Sequence, residues 1–572
     1  MIKIIFYDFE VFKEDWLVVL VNPDKKTEDV IVNDPDALNK YYEENKSEIW
    51  TGYNSTRYDQ YILKGILCGF NPKRVNDYMI VKGEPGWKFG SLFNKIPLLS
   101  YDVMLSTYSL KQLEGFMGNT IKETSVPFDI DRKLTEAEIE ETVKYCKSDV
   151  YNTISVFLKT VDEFNAVVNL IKTFDLPANY ISKTKAQLSA IILGCNRHNW
   201  DDEFDITIVP TLKIGKYKAV LDWFKQCKFY DESFECDVAG VLHKFGIGGV
   251  HGAKENYHSK GLIVHVDVTS YYPSLMITYN FLTRNCAYPE KFKDIYDTRV
   301  ALKKAGKKAE QAPYKIVLNG TYGICKDKMS LAYDPRQANN VCVNGQLLLI
   351  DLIDKLESIQ GFELIQSNTD GLIVKIPDTD SAFNQLDDIC FEWETRTGMG
   401  LGFDYIDEIW QKDVNNYVFH FEDIPENGKN RNKLERKGGY VKELNDLDNN
   451  LPIVNKAIVD FLTAGIPIET TINTCNDLKQ FQMICKASHK YKGLVYQDRL
   501  LSERCVRVFA SKYNDGGLYK LHQNKTKPDK FPSTPTNCFI VNDDVSGKSV
   551  PSKLDRQFYI DMAKERAQGY GI

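Results

Sequence analysis

Two apolar strands that each end in carboxylates constrain the fold of this chain more than any other feature. In residues 2–10, a period of two puts apolar side chains on the same face as Asp8 and Glu10. In residues 261–267, a buried type of strand ends at Asp267. Because neighbouring acids repel each other, a cation is the natural way to hold them ionised. The sequence therefore predicts two separate acidic sites, each built on a strand.

Length and composition set the broad class of the chain. At 572 residues it is too long for one hydrophobic core, so three or more domains are expected. Its 43% hydrophobic content is ordinary for a soluble globular protein, and no apolar run approaches the roughly 20 residues that span a membrane. The charged N-terminus does not resemble a signal peptide. The 13 cysteines are an odd number without a Cys-x-x-Cys pair, which argues against a disulfide framework or a thiolate zinc site and predicts a cytoplasmic protein without a membrane partner.

The net charge of −7 would by itself disfavour nonspecific binding to nucleic acid. However, two clusters of carboxylates lower the total. Local basic patches therefore matter more than the sum.

Further acids join the first strand to form one set. Asn54–Asp59 follows a turn-like glycine and supplies another carboxylate. Thr135–Glu138 matches a capping box, which predicts a helix that carries Tyr145 and Asp149 on one face. Four carboxylates suit a two-metal phosphodiester hydrolysis in which the phenol orients the attacking water. For any one of these acids alone, a solvated strand end or helix face is the simpler interpretation.

The second set is predicted at a hairpin. Residues 362–376 read as strand, turn and strand, with Asn and Gly in the turn, which places Asp370 at the hairpin. Pro273 forbids the strand that ends at Asp267 from continuing. Together, Asp267 and Asp370 would hold two magnesium ions against a nucleoside triphosphate.

A lysine-rich helical segment at 290–325 lies between these two strands in the sequence. Side chains share its helix faces in two groups, Arg299 with Lys303, and Lys315 with Asn319 and Tyr322. Cations that face carboxylate-bound metal suit the charge of phosphates. The alternative is a solvated lysine surface, except at Lys315, whose apolar neighbours predict a constrained environment.

In this order the segments resemble the motifs of family-B DNA polymerases with a 3′–5′ exonuclease, of the small phage or viral type. Asp8 and Glu10 resemble the first exonuclease motif. The second motif is matched by Asn54, Tyr58 and Asp59, and the third by Tyr145 and Asp149. Motif A is resembled by the segment from Asp267 to Pro273, motif B by Lys315, Asn319, Tyr322 and Gly323, and motif C by Asn368–Gly371.

The resemblance implies a role for each of these residues. The metal ligands would be Asp8, Glu10, Asp59, Asp149, Asp267 and Asp370, with Tyr145 also catalytic. The residues that would bind the incoming nucleotide are Lys315, Asn319, Arg299, Tyr272 and Lys303. Of these, Tyr272 would reject ribonucleotides sterically, and Lys303 would be a second phosphate contact. DNA would be bound by Asn54, Tyr58, Tyr322, the Gly248–Gly249 pair that resembles the Tyr-x-Gly-Gly segment, and Lys437 with Tyr440, which resemble a thumb-side Lys-x-Tyr segment.

The implied fold is a multidomain α/β and α+β chain, in which an RNase H-like exonuclease domain precedes a right-hand polymerase with an antiparallel-sheet palm, short helical fingers and a thumb. The corresponding divisions are 1–165 for the exonuclease, 166–250 for a connecting segment, 251–290 for the palm with motif A, 291–325 for the fingers, 326–440 for the palm with motif C, and 441–572 for the thumb and C-terminal region. The implied ligands are two Mg²⁺ ions per site, which Mn²⁺ could replace, primer-template DNA and deoxynucleoside triphosphates. A monomer in the cytoplasm, or the host cytoplasm of a virus, is expected.

Two departures from the family pattern leave alternatives open. Motif C begins with Asn368 where the family has aspartate, so a second hypothesis is an exonuclease whose polymerase half has decayed into a DNA-binding module. A third is a non-catalytic nucleic-acid binder, which would have little reason to keep so many acids. Only 48 positions separate Asp267 from Lys315, which predicts short fingers and dependence on a separate helicase or primase.

Overall fold

The computed structural model describes residues 3–105, 107–421 and 434–572, which form two compact units. The first unit comprises Met1–Ser182, Leu444–Val454 and Ile472–Ile560, and the second comprises Lys183–Glu443, Asn455–Thr471 and Asp561–Ile572. The chain is a mixed α/β protein with several separate sheets. Its 13 cysteines all lie in the described residues as free thiols. Across those residues, no helix combines the length and the apolar character needed to cross a bilayer.

The N-terminal stretch of the first unit forms one five-stranded sheet with helices around it. Its elements are β1 (Ile4–Val11), β2 (Trp16–Asn22), β3 (Thr27–Val32), α1 (Pro35–Asn45), β4 (Ile49–Gly52), α2 (Asp59–Leu67), α3 (Pro72–Ile80), β5 (Leu99–Asp102), α4 (Leu110–Met117), α5 (Glu136–Lys159) and α6 (Val161–Thr173). The strand order is β3-β2-β1-β4-β5, with β1 antiparallel to β2 and parallel to β4.

The central strand β1 is covered on both faces. On one face, the ring of Tyr7 packs 5.4 Å from that of the fully buried Trp50. On the other, Phe6 lies 5.3 Å from Phe157 of α5. The predicted capping box begins α5, because Thr135 Oγ1 accepts the Glu138 N–H at 3.3 Å and the Glu138 carboxylate accepts the Thr135 N–H at 2.8 Å. The face of β1 that carries Asp8 and Glu10 therefore lies under α5.

The second unit is built on a nine-stranded sheet. Its elements up to Glu443 are α7 (Lys185–Ile192), α8 (Lys218–Gln226), β6 (Ser233–Val238), β7 (Val241–Gly246), β8 (Gly249–Ala253), β9 (Tyr257–Val268), α9 (Tyr271–Thr278), α10 (Pro289–Lys304), α11 (Lys308–Lys326), α12 (Pro335–Leu356), β10 (Glu363–Asn368), β11 (Gly371–Lys375), α13 (Asp380–Thr397), β12 (Leu401–Asp413), β13 (Asn416–Phe421) and β14 (Leu434–Lys437). The strand order is β14-β13-β12-β9-β11-β10-β8-β7-β6.

Local sequence signals locate the parts of this sheet correctly. The strand that ends near Asp267 is β9, the hairpin around Asp370 is β10–β11, and the helical segment at 290–325 is the pair α10 and α11. A glycine is required where β7 and β8 meet, since a Cβ at Gly252 would lie 2.5 Å from ring atoms of His243. The missing side chain therefore lets the two strands approach each other closely.

The C-terminal stretch contains short strands in two small sheets. Its elements are α14 (Pro452–Ala464), α15 (Ile468–Thr474), β15 (Met483–Lys486), β16 (Tyr491–Tyr496), β17 (Arg499–Leu500), β18 (Cys505–Ala510), β19 (Leu518–His522), β20 (Asp529–Lys530), β21 (Cys538–Ile540) and α16 (Arg556–Ala567). The sheet orders are β15-β18-β21 and β17-β16-β19-β20. Arg507 is fully buried and donates to the carbonyls of Gly115 at 3.1 Å and Asn119 at 2.7 Å, which joins β18 to α4 within the first unit. The six-part division of the chain stays a prediction.

Candidate active sites

Four predicted acids of the first unit meet at the end of β1. Asp8 and Glu10 project from the strand, Asp59 begins α2, and Asp149 lies in the middle of α5. The Asp59 carboxylate accepts the Phe9 N–H at 3.0 Å, which fixes the start of α2 against β1. We call these four residues the acidic cluster.

Burial opposes ionisation throughout the acidic cluster. Burial, followed by the charges of the neighbouring acids, raises the pKa of Asp8 and of Glu10 well above the usual range. Burial also raises the pKa of Asp59 to about 7. Several carboxylates in a site with little exposure to solvent favour a bound cation, because the cation would let them ionise together.

The donor atoms of the acidic cluster fit a hard divalent cation. Single ligand atoms of Asp8, Glu10 and Cys146 lie within 4.8 Å of one another. Burial raises the pKa of the Cys146 thiol, and its Sγ lies 3.3 Å from the carbonyl oxygen of Asp8, so it remains a neutral neighbour. The carboxylate oxygens are the donors that Mg²⁺ and Mn²⁺ prefer.

A buried lysine that the sequence analysis missed completes the electrostatics of this site. Lys111 of α4 contacts the Asp149 carboxylate, and its Nζ lies 3.0 Å from Glu114 Oε1 and 4.6 Å from the centre of the Tyr145 ring. Although burial opposes its charge, Asp149 and Glu114 raise the pKa of Lys111. A lysine three residues before a buried glutamate is a weak pattern, and only the packing of α4 on α5 brings it to the cluster.

The predicted DNA contacts Asn54 and Tyr58 lie in the loop before α2. Asn54 adopts a left-handed conformation with φ of 64°, and its N–H donates to Asp102 Oδ1 at 2.9 Å. The Asp102 carboxylate also accepts the Thr56 N–H at 3.0 Å, so this acid, which was not predicted from the sequence, holds the loop. The Tyr58 hydroxyl donates to Asn76 Oδ1 at 2.7 Å. A strand that ends in an acid, as β5 does at Asp102, is the signal that could have found it.

In the second unit, a cavity of about 440 Å³ gathers most of the predicted polymerase residues. Its lining comprises Asp267, Val268, Ser270, Tyr271, Tyr272, Pro273, Arg299, Lys315, Asn319, Thr369 and Asp370. The two aspartates are adjacent because β9 and β11 pair with Asp267 opposite Gly371, and the Val268 N–H donates to the Asp370 carbonyl at 2.9 Å. Burial and then the charge of Asp370 raise the pKa of Asp267.

The cations of the helix pair are placed unequally. Arg299 and Lys315 line the cavity, and Arg299 Nη1 donates to Ser270 Oγ at 2.6 Å while its buried Nε has no partner among the described residues. Lys303 is exposed and does not line the cavity, although its charge acts on Asp267. The constrained environment predicted for Lys315 is wrong. Its side chain is exposed, because it lies on the solvent side of α11 where α11 borders the open cavity.

Aromatic and glycine residues surround the same cavity. The ring of Tyr272 lies 4.5 Å from that of Tyr322 on α11. Gly248 lies in the turn between β7 and β8, and Gly249 begins β8. Gly249 has φ of 148°, and a Cβ there would lie 3.5 Å from Thr369 Oγ1. This glycine turn therefore lies beside the hairpin that carries Asp370.

Asn368, the departure from motif C, stabilises the hairpin turn. Its Oδ1 accepts the N–H of Thr369 at 2.9 Å. A carboxylate that was not predicted from the sequence lies on β12. Asp404 lies opposite His265 in the pairing of β12 with β9, and its charge raises the pKa of Asp267. Only the register of β12 against β9 reveals this neighbour.

Lys437 and Tyr440 lie at the edge of the sheet. Lys437 ends β14, with its Nζ 5.5 Å from the centre of the Tyr417 ring. Tyr440 lies between two cations, with Lys412 Nζ at 4.7 Å and the Arg566 guanidinium carbon at 4.4 Å from its ring centre.

Comparisons with known proteins give little further guidance. No protein-family model and no curated protein matches the chain. One solved structure that it resembles is the family B DNA polymerase from the hyperthermophilic archaeon Pyrobaculum calidifontis, with 13% sequence identity, 99% of this chain and 77% of that chain covered, and a TM-score of 0.44. A TM-score this low does not establish a shared fold, so the side chains of the two sites must carry the functional assignment.

Proposed function

We propose that this chain is a template-directed DNA polymerase with a 3′–5′ proofreading exonuclease, of the small family-B type that copies phage or viral genomes. The observation that carries the proposal is the cavity in which Asp267 and Asp370 face Arg299, Lys315 and Asn319. Paired carboxylates opposite cations and an amide match the charge of a triphosphate held by metal. Residues 1–165 of the first unit would be the RNase H-like exonuclease, the second unit would contain the palm and short fingers, and residues 441–572, most of which lie in the first unit, would include the thumb.

In the polymerase site, Asp267 and Asp370 would hold two Mg²⁺ ions, which would supply charge neutralisation while the primer 3′-oxygen bonds to the α-phosphate, its proton passes to solvent and pyrophosphate leaves. Arg299 and Lys315 would orient the triphosphate, with Lys303 a further contact from solvent. Tyr272 would bound the sugar. Rate would come from geometry and charge rather than from covalent catalysis.

In the excision site, the acidic cluster would hold the ions, and Tyr145 would orient the attacking water. Lys111 contacts Asp149 and lies against the Tyr145 ring, so it would keep both side chains in place. Asn54 and Tyr58 would contact the single-stranded 3′ end. Gly248, Gly249, Tyr322, Lys437 and Tyr440 would contact primer-template DNA in the second unit.

A second candidate is an exonuclease whose second unit only binds DNA. It is favoured by Asn368, whose amide oxygen accepts a backbone N–H within the turn and brings no negative charge to the cavity. Under this alternative the cavity would bind nucleic acid without synthesis.

A primer assay separates the two candidates. A 5′-labelled DNA primer annealed to a longer template is incubated with Mg²⁺, with and without deoxynucleotides, and resolved on a gel. Extension with nucleotides and shortening without them is the expected result. Shortening in both lanes, with no extended product at any nucleotide concentration, would leave only the exonuclease. Strand displacement on a duplex is expected only when a helicase is added.

A further inference from the structure

A strongly basic segment lies within the first unit. Residues 486–530 contain 11 lysines and arginines but only 4 acids, in a chain whose net charge is −7. The segment includes β16, β17, β19 and β20, which form the small four-stranded sheet. Such a reversal of local charge indicates an anionic partner.

The basic segment borders a cavity of about 350 Å³ next to the acidic cluster. Lys486, His489 and Arg504 line the cavity together with Phe128, Lys111 and Tyr145. Its lining also includes one acid, Glu123, whose carboxylate accepts the Arg504 N–H at 2.9 Å. Lys111 contacts Asp149, so one wall of this cavity is also a wall of the acidic cluster. Cations and aromatic rings thus lead directly towards the predicted metal ligands.

Arg504 organises the loop that connects this cavity to the small sheet. Its guanidinium donates to the carbonyls of Ser488 at 2.8 Å, Tyr491 at 2.9 Å and Lys492 at 3.0 Å. The loop therefore presents His489 to the cavity and Lys490 with Tyr491 to the sheet. Hydrogen bonds from one side chain to these three carbonyls hold the loop in one conformation.

The small sheet carries unpaired cations around an aromatic ring. The Nζ atoms of Lys490 and Lys520 lie 5.5 and 4.8 Å from the centre of the Tyr491 ring, and Lys520 Nζ lies 5.6 Å from the centre of Phe531. Among the described residues, neither lysine has a carboxylate partner. Both ammonium groups can contact phosphates, and they lie beside the half-buried rings of Tyr491 and Phe531.

We propose that residues 486–530 bind single-stranded DNA and lead its 3′ end through the adjoining cavity to the acidic cluster. Aromatic rings beside cations match the stacking and charge of a single strand. The cavity lies at the lower end of the size range of small-molecule pockets, which admits a nucleotide and excludes a duplex. An acidic peptide or a lipid surface would not use the rings in this way. The inference rests on the proposed excision function of the acidic cluster.

The test measures equilibrium binding without catalysis. A fluorescein-labelled oligothymidylate of about 12 nucleotides is titrated with the full chain in EDTA, and anisotropy is followed at several salt concentrations. We expect Lys490→Glu/Lys520→Glu to bind about tenfold or more weakly, with a salt slope shallower by about 1.4 for two lost phosphate contacts. Lys490→Gln/Lys520→Gln should lose the same slope with a smaller loss of affinity. The matched control, Lys26→Glu/Lys40→Glu, changes the charge equally on exposed residues far along the sequence and should bind like the parent chain.

The outcomes distinguish this inference from the proposed function. Equal affinity and equal salt slope in Lys490→Glu/Lys520→Glu and in the control would overturn the inference, even if the parent chain shortens DNA in Mg²⁺. Stronger binding of a duplex than of the single strand, lost in Lys490→Glu/Lys520→Glu but not in the control, would also overturn it. Weaker binding by the variant, together with no shortening of DNA by the parent chain, would support the binding segment and refute the proposed excision.

Discussion

Lys111 is the single side chain whose loss should most disturb the first unit. Its Nζ contacts Asp149 and Glu114, and the three side chains are only 13%, 11% and 0% exposed, respectively. Lys111→Met keeps the apolar stem over Tyr145 but leaves the buried acids without their cation. Removal of one partner from a buried ion pair costs about 3–5 kcal/mol. At roughly 2–4 °C per kcal/mol, the unfolding midpoint should fall by about 6–20 °C.

The loss of stability in Lys111→Met should depend on pH. In the parent chain, burial raises the pKa of Glu114 to about 8 and also raises the pKa of Asp149, and removal of the Lys111 charge raises both pKa values further. Ionisation of these acids then opposes folding more strongly in the variant, so the loss of stability should be larger at pH 8 than at pH 5, where the acids are protonated in both folded chains. Thermal unfolding in EDTA at both pH values, followed by tryptophan fluorescence, to which the buried Trp16 and Trp50 of the first unit contribute, measures the difference.

Two controls complete the experiment. Lys40→Met removes an exposed lysine and should change the free energy of unfolding by no more than about 0.5 kcal/mol. Lys111→Met/Glu114→Gln removes one of the stranded acids and should recover part of the loss. A loss below about 1 kcal/mol for Lys111→Met, or a loss that does not depend on pH, would refute the reasoning.

Three further predictions concern the second unit. Gly252→Ala should destabilise it by about 1–3 kcal/mol in urea unfolding, because the added methyl meets the His243 ring at 2.5 Å; unchanged stability would mean that β7 and β8 are less closely packed. Arg299→Lys should raise the KM for deoxynucleotides about tenfold in single-nucleotide extension, since lysine cannot both hold Ser270 and reach a phosphate; an unchanged KM would remove Arg299 from the nucleotide site. Tyr272→Val should raise ribonucleotide incorporation about tenfold or more relative to deoxynucleotides, and unchanged discrimination would show that the ring does not bound the sugar.

Local patterns predicted the elements that carry the sites. The strand of β1, the capping box at Thr135, the hairpin around Asp370 and the helices at 290–325 each follow from residues close in sequence. Periodicity, caps and turn residues act over a few positions, so they can be recognised without knowledge of the fold. The acids that project from these elements could therefore be named in advance.

Side chains that depend on tertiary register could not be predicted. Lys111 reaches Asp149 only because α4 packs on α5, and Asp404 reaches Asp267 only because β12 pairs with β9. Residues 486–530 form strands of two to six residues, which are too short for a periodic signal. Arg507 illustrates the limit, since an arginine in sequence gives no sign that it is fully buried and bound to the Gly115 carbonyl of α4.

The most direct test of the account is to separate the two activities by mutation. Asp267→Ala and Asp8→Ala/Glu10→Ala are compared with the parent chain on the same labelled primer and template in Mg²⁺. The account predicts that Asp267→Ala abolishes extension and still shortens the primer, whereas Asp8→Ala/Glu10→Ala extends the primer and no longer shortens it. Loss of both activities in either folded variant, or extension that survives Asp267→Ala, would contradict two metal-dependent sites in one chain.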